Sequence, residues 1–334
     1  MLEQKAIQNF KRVLVISVDQ TEATFRLRMA ILRDLLSPRG FEFDFRTRPA
    51  GWLERRRLVS SAKNYDAVII QRKLLDPSHA RLLRRKAKKV FFDLDDAIMR
   101  QRREIGRVST WLKHRRFLAT AKATDRVVAG NPTLAEEFRQ LGCEVTILPT
   151  MVRPDDYRVK QHVQTDSPAL VWIGSKSTLP YLQQWMPAIE RASEKVRKLR
   201  VITIANDTVK SDRVKVEHIP WTLEGEADAL VSGDIGIAPT PIDPWTIGKC
   251  GFKIIQYMAS GLPVIASPVG LNSEIVEHGV NGFLADTDEQ WIEAIERLTS
   301  DRELRHQMGE AGRQKALREF DVRIAGEVWE QLLS

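Results

Sequence analysis

GKCGFKIIQYMASGLPVIASPVGLNSEIVEHGVNG, residues 248–282, is the stretch on which the reading of this chain turns. An apolar helical pattern follows Gly248 and stops at Gly261, where a left-handed C′ residue is wanted. Residues 249–260 therefore read as a helix, with Ile254, Ile255 and Met258 on a face that can pack against a sheet. Lys249, Lys253 and Gln256 fall at i, i+4 and i+7 and so share another face. The run 263–267 reads as a buried strand, and 271–278 as the next helix. A helix start with a glycine before it offers free N–H groups and the positive end of a dipole. Two lysines in its first turns make that a seat for a diphosphate. Lysines at a solvent-facing helix start would look the same, and spacing alone does not choose.

Outward from this stretch the same rhythm holds. Strands are expected at 169–173, 201–205, 216–219 and 235–239, with helices from 179 to about 196 and at 223–230, 288–298 and 303–320. Before it, strands are expected at 12–18, 41–45, 67–71, 89–94, 126–129 and 145–148. Helices are expected at 24–36, 52–62, 77–87, 108–120 and 133–141. Short apolar runs alternating with helical patterns signal βαβ units and parallel sheets. The rhythm fails between Pro149 and Pro168, in a polar, proline-bracketed segment. The expected organisation is an N-terminal Rossmann-like domain over 1–150, a linker over 151–168 and a second Rossmann-like domain over 169–320. In 321–334, Val322, Ala325, Val328, Trp329 and Leu332 recur at spacings of three and four. That amphipathic terminal helix is expected to pack back on the first domain.

A chain of 334 residues is comfortable for two domains, and 43% hydrophobic with 29% charged residues is ordinary for a protein with sizeable cores. No run reaches the roughly 20 apolar residues of a membrane-spanning helix. Residues 1–11 lack an apolar signal core, and Cys143 and Cys250 have no metal-ligand spacing, so a cytoplasmic location is expected. The formal charge of +8 is unevenly spread: residues 81–89 hold six cations and no anion, and residues 100–116 hold seven cations against Glu104 alone. Such excess favours phosphates, nucleic acid or an anionic membrane face, or is a solvated helix face. The G-x-G-x-x-G fingerprint of dinucleotide oxidoreductases and the Walker A sequence are both absent.

Residues 248–282 resemble the signature region of glycosyltransferase family 4. The matching segments are Phe252 to Ala259, Gly261 to Ser267, and Val269-Gly270 through Glu274-Ile275-Val276 to Asn281-Gly282. The tail LTSDRELRHQMGEAGRQKALREF, WIGSKSTLPYL from Trp172, FDLDDAI from Phe92 and VVAGNPTLAEEF from Val127 also resemble segments of that family. The resemblance implies the α/β GT-B fold, two Rossmann-like doubly wound domains facing across a cleft. It also implies metal-independent, retaining transfer of a sugar from a nucleoside-diphosphate donor. Donor-binding residues would be Gly174, Ser175, Lys176, Gly248, Phe252, Gln256, Gly270 and Glu274. The family commonly carries two glutamates where this chain has Gly248 and Gln256. Gln256 can still bond ribose hydroxyls, whereas Gly248 offers only backbone, so Glu274 or a main-chain N–H would take the sugar contact.

Leaving-group charge needs preorganised cations, and Lys249 and Lys253 are the first choices, with Lys176 a further candidate. Asp93, Asp95 and Asp96 lie near an expected strand end. Asp95 would act as base toward an acceptor hydroxyl, with Asp93 and Asp96 on the acceptor side; alternatively the cluster caps the next helix or holds a divalent ion. Arg26, in the loop region after the first strand, would meet donor phosphates or an anionic acceptor, or is a solvent-facing helix arginine. The expected partners are a nucleoside-diphosphate sugar, a glycan or lipid-linked acceptor and an anionic membrane surface on the inner face of the cytoplasmic membrane. No nucleic acid and no cofactor beyond the sugar nucleotide are expected. The rival reading is a non-catalytic protein of the same fold that binds an anionic polymer or partner.

Overall fold

The computed structural model describes residues 10–100 and 107–334. The expectations for the extreme N-terminus and for 101–106, part of the 100–116 basic run, lie outside the described residues. The chain divides into two compact units. The first holds the residues up to Thr150 together with Gly248–Cys250 and Val322–Ser334, and the second holds Met151–Ile247 and Gly251–Asp321.

The first unit opens with β1 (Lys11–Ser17), α1 (Ala23–Phe25), α2 (Ile31–Leu36), β2 (Phe41–Thr47), α3 (Trp52–Ser60), β3 (Ala67–Gln71) and α4 (Pro77–Lys86). It continues with β4 (Val90–Leu94), α5 (Arg107–Ala123), β5 (Arg126–Ala129), α6 (Pro132–Arg139) and β6 (Val145–Ile147). The strands are parallel in the order β2-β1-β3-β4-β5-β6. Val13 to Ile16, Val68 to Ile70 and Val90 to Phe92 are buried without alternation, because helices cover both faces of such a sheet. Asn131 caps α6, its Oδ1 accepting from Leu134 N at 2.8 Å, and Pro132 takes the first helical position, where a missing N–H costs nothing.

Between α1 and α2 the backbone forms a π turn over Arg26–Ala30. A widened turn of this kind shifts the facing of the residues that follow. Arg28 is thereby turned inward: its Nη2 donates to Asp93 Oδ1 at 2.6 Å and its Nε to Asp93 Oδ2 at 3.0 Å. Its Nη1 donates to Leu148 O at 2.8 Å and reaches Thr150 Oγ1 at 3.4 Å. Both partners are buried. Burial works against the guanidinium charge, and the Asp93 carboxylate more than offsets it, so Arg28 stays above its ordinary pKa. Asp93, expected on the acceptor side, is instead sealed inside the protein by this pair. Arg26, the expected cleft residue, is half-buried on the π turn, two residues short of the position that faces Asp93.

The second unit holds β7 (Ala169–Ile173), α7 (Leu179–Lys195), β8 (Arg200–Ala205), β9 (Lys215–Pro220), α8 (Glu226–Leu230), β10 (Ile235–Ala238) and α9 (Phe252–Ala259). After these come β11 (Val264–Ala266), α10 (Asn272–Ile275), β12 (Gly282–Leu284), α11 (Asp288–Ser300) and α12 (Arg302–Glu319). Its strands are parallel in the order β12-β11-β10-β7-β8-β9. Residues 151–168, read from sequence as a linker, cluster with this unit: Lys160 Nζ pairs with Asp234 at 3.0 Å and bonds Val231 O at the same distance.

The last helix, α13 (Val322–Leu333), packs within the first unit. Trp329, 1% exposed, meets Phe91 edge-on at 5.6 Å, and Lys89 Nζ donates to Leu332 O at 2.6 Å. Gly326 lies where a Cβ would come within 3.3 Å of Leu35. Trp329→Ala should therefore cost about 3 to 5 kcal/mol of stability, read as a lower urea midpoint. Asp93→Asn strands a buried guanidinium and should cost about as much, roughly 3 to 5 kcal/mol. The double variant Arg28→Met, Asp93→Leu should recover most of that loss in the same titration, because it removes both charges together.

Candidate functional site

In open parallel sheets, ligands sit beyond the strand C-termini where the connections diverge. In the second unit that point falls at β7 and β10: from β7 the chain steps out to β8 and β9, and from β10 to β11 and β12. Two loops lie there, 174–178 after β7 and 239–247 after β10. A groove of about 710 Å³ lined by Asp166, Pro168, Lys198 and Arg297 lies by the residues preceding β7 and β8, at the opposite end of the strands.

The 239–247 loop is locked by its own polar groups. Asp243 Oδ1 accepts from Trp245 N and Thr246 N at 2.7 and 2.8 Å, and Thr246 Oγ1 donates to Pro241 O at 2.6 Å. A 3₁₀ turn, Thr246–Gly248, follows. Gly248 is buried in the first unit: Asn131 Nδ2 donates to its carbonyl at 2.9 Å, and an added Cβ would lie 2.6 Å from Ala97 Cβ. The glutamate that the resembled family carries here has no room. Cys250, also buried, donates to Asp95 O at 3.0 Å, and burial pushes its thiol well above the ordinary range.

The helix expected from Lys249 begins three residues later. Gly251 adopts φ 61°, a left-handed conformation that ends the preceding turn, and α9 starts at Phe252. Lys249 is therefore half-buried before the helix and does not share a face with Lys253 and Gln256. Gly261, φ 68°, closes α9 in the C′ position, as its place in the sequence predicts.

Lys253 lies in the first turn of α9 with its ammonium 4.5 Å from the centroid of the Trp172 ring. Trp172 belongs to β7, is 0% exposed, and its Nε1 has no hydrogen-bond partner. The tryptophan thus ties the start of α9 to the β7 strand end, a contact worth about 2 kcal/mol where water is excluded. Gly174 follows immediately; a Cβ there would come within 2.5 Å of the indole. Ser175 N donates to Thr178 Oγ1 at 3.2 Å, and the Ser175 and Ser177 hydroxyls are 2.9 Å apart. Lys176 is largely exposed, 3.8 Å from Asp207.

Gln256 is buried, and its Nε2 donates to Tyr157 OH at 3.2 Å, so the amide is held by the 151–168 segment. Gly270, φ 57°, brings the backbone so close to Ile247 that a Cβ would meet its carbonyl oxygen at 2.5 Å. Glu274 is exposed on α10, and its backbone oxygen accepts from Lys315 Nζ at 3.0 Å. The second unit thus brings Phe252, Lys253, Gly174 and Ser175 to the β7 strand end, with the Gly270 turn packed on Ile247.

At the first unit's divergence point, β1 and β3, sits Arg72, which no sequence feature singled out. Its φ is 53°, a strained value for a non-glycine residue. It bonds Glu22 Oε2 at 3.1 Å, Thr24 Oγ1 at 2.9 Å and Asp96 Oδ2 at 2.6 Å. Its Nε lies 3.3 Å from Asp95 Oδ1, which makes no hydrogen bond. Asp95, the expected base, is thus ion-paired with Arg72. No set of three or more His, Cys, Asp or Glu side chains able to hold a metal occurs among the described residues.

Residues 245–315 match the family model described as glycosyl transferases group 1. A sulfoquinovosyl transferase, SQD2, of Arabidopsis thaliana is 23% identical over 214 residues, 60% of this chain and 40% of that protein. This chain therefore spans less than half of that relative's length. Among solved structures, a sucrose-phosphate synthase from Thermosynechococcus elongatus is similar with a TM-score of 0.74 at 15% identity, over 96% of this chain and 98% of that one. The HepE protein of Anabaena, solved with UDP, is similar with a TM-score of 0.70 at 15% identity, over 97% and 99%. The chain thus carries a group 1 glycosyl transferase region at residues 245–315, set in a two-domain α/β structure of the GT-B fold.

Proposed function

We propose that this protein is a metal-independent, retaining glycosyltransferase. It moves a sugar from a nucleoside-diphosphate donor to a glycan or lipid-linked acceptor in cell-surface polysaccharide synthesis. The observation that carries the reading is Lys253, held over Trp172 in the first turn of α9 at the strand divergence of the second unit. As the sugar leaves, negative charge grows on the diphosphate, and a fixed ammonium with helix N–H groups stabilises that charge without reorganising. Gly174, Ser175 and Lys176 approach the donor from the β7 loop, and the turn at Gly270 with Glu274 approaches the sugar. The relative HepE was solved with UDP and with UDP-glucose, which supports a uridine donor here.

A rival reading has one observation in its favour: Gly248 is packed on Ala97 where the resembled family has a glutamate. A non-catalytic protein of this fold would bind an anionic polymer and leave sugar nucleotides intact. Lys253→Ala should weaken UDP or GDP binding about tenfold or more, the scale of one charge-assisted hydrogen bond, while the protein stays folded with a melting temperature lowered by no more than the lost Trp172 contact accounts for. Equal affinity by calorimetry would remove the proposed donor seat. Failure to hydrolyse or transfer from any UDP-, GDP- or TDP-sugar would favour the rival.

A cytoplasmic, peripheral membrane location is part of the proposal. No helix among the described residues is long and apolar enough to cross a membrane. In the 81–89 run, Arg84 pairs with Asp125 at 2.5 Å, Lys88 with Asp66 at 2.8 Å, and Lys89 bonds the end of α13, so acids balance two of its six cations and a third is tied to the fold. The first turns of α5 are better suited. Val108, Trp111 and Leu112 are 71%, 54% and 42% exposed on one helix face, and the Arg115 guanidinium stacks on Trp111 at 4.6 Å. Flotation should recover the protein with phosphatidylglycerol-containing vesicles at low salt but not at high salt, since exposed charges are screened over about 8 Å at physiological ionic strength. Trp111→Ser with Leu112→Ser should reduce the recovered fraction; indifference of the wild type to anionic vesicles at low salt would end the membrane reading.

A further inference from the structure

A second concentration of charge lies in the first unit, on residues far apart in sequence. Asp76, the residue before α4, receives three arginines: Arg116 Nε at 2.8 Å on Oδ1, and Arg55 Nη1 at 3.0 Å and Arg48 Nη2 at 3.4 Å on Oδ2. Arg48 directly follows β2, Arg55 lies on α3 and Arg116 on α5. Lys73, two residues past β3, faces the same group. One carboxylate therefore stands against four cations at the C-terminal side of the sheet, where ligands of such sheets bind.

The surplus shows in the cations themselves. Desolvation, then the charge of Arg55, lowers the Arg48 guanidinium from its ordinary value, and Asp76 only partly offsets them. Desolvation, then Arg48 and Arg116, likewise depresses the Lys73 ammonium. The Asp76 side chain occupies the N-cap position of the ten-residue helix α4 yet makes no capping bond, because it is turned to the arginines. The positive end of α4 is thus left without a carboxylate cap. Beside it, His79 is 3% exposed, and its Nδ1, 3.6 Å from Asp76, has no hydrogen-bond partner. Buried polar nitrogens and converging like charges both cost stability unless an anion completes the group.

We propose that Arg48, Arg55, Lys73 and Arg116, arranged around Asp76, form a site for a phosphate or diphosphate group carried by the acceptor. Guanidinium forks suit phosphate oxygens bidentately, and Asp76 holds the three forks in place while leaving donors over. Naming the ligand as acceptor rests on the proposed sugar transfer; the anion site itself does not. A lipid diphosphate headgroup and a soluble sugar phosphate present the same chemistry.

The test uses the full chain carrying Lys253→Ala, so that the donor seat does not contribute, and titrates inorganic pyrophosphate at low ionic strength. Arg55→Gln with Arg116→Gln should weaken binding about tenfold or more, while Arg57→Gln, an exposed cation on the same helix α3, should not. The double change leaves Arg48 and Lys73 to balance Asp76, and Arg116→Gln alone, at a half-exposed residue, serves if the double variant melts early. Flotation on phosphatidic acid vesicles separates the sources. Pyrophosphate and vesicle binding lost together support a lipid headgroup, and pyrophosphate binding lost alone supports a soluble phosphate ester. Pyrophosphate affinity unchanged by the arginine substitutions, or absent from the Lys253→Ala protein, overturns the site. Nucleotide binding of the otherwise wild-type chain tests the donor seat separately.

Discussion

A guanidinium and a carboxylate closed off from water determine how the first unit is put together. Asp93 occupies the penultimate position of β4, in the centre of the sheet, between the buried apolar runs Val68 to Ile70 of β3 and Val127 to Ala129 of β5. Alone, it would have to give up its charge or draw water into the core. Arg28 removes that choice, and its remaining N–H groups reach Leu148 and Thr150, so that the turn after β1, the sheet and the residues after β6 meet on one planar group. The π turn gives the arginine its direction, and a plain α-helical continuation would aim it elsewhere. Such a pair adds little net stability compared with a hydrocarbon of equal volume, but it makes other arrangements of the same segments costly.

The strands were legible because a parallel sheet covered on both faces demands uninterrupted apolar runs. The expected 67–71, 126–129 and 169–173 recur as Ala67–Gln71, Arg126–Ala129 and Ala169–Ile173. What failed was local and conformational. Three residues, Gly282–Leu284, are too short a run to announce β12. The start of α9 moved to Phe252 because Gly251 takes a positive φ, and a glycine's φ leaves no trace in hydrophobic periodicity. That displacement separates Lys249 from Lys253, so the shared lysine face existed only on a helical wheel.

The site divided along the same line. Residue types with an intrinsic chemistry were visible in advance, among them Lys253 at a helix start and the carboxylates after β4. Their partners were not, since Trp172, Tyr157, Arg72 and Arg28 acquire a role only through neighbours distant in sequence. Trp172 reads as one more apolar residue of a buried strand until Lys253 is found over its ring. The three carboxylates read as one group, yet the fold gives them two fates: Asp93 goes inward to Arg28, while Asp95 and Asp96 turn to Arg72.

Charge shows why proximity in sequence is a poor guide to proximity in space. The run at 81–89 is dense on paper, but a helix spreads its residues around an axis, and Asp66, Asp125 and the end of α13 draw off three of its cations. Arg48, Arg55, Lys73 and Arg116 never fall within one short window, yet the residues after β2 and β3, the first turns of α3 and the middle of α5 bring them to the single carboxylate of Asp76. A field that can hold an anion depends on the surplus left after local pairing and on how far water is excluded. By that measure the weakly marked positions outrank the obvious basic run, and the proposed anion site draws on the loops after β2 and β3 together with α3 and α5.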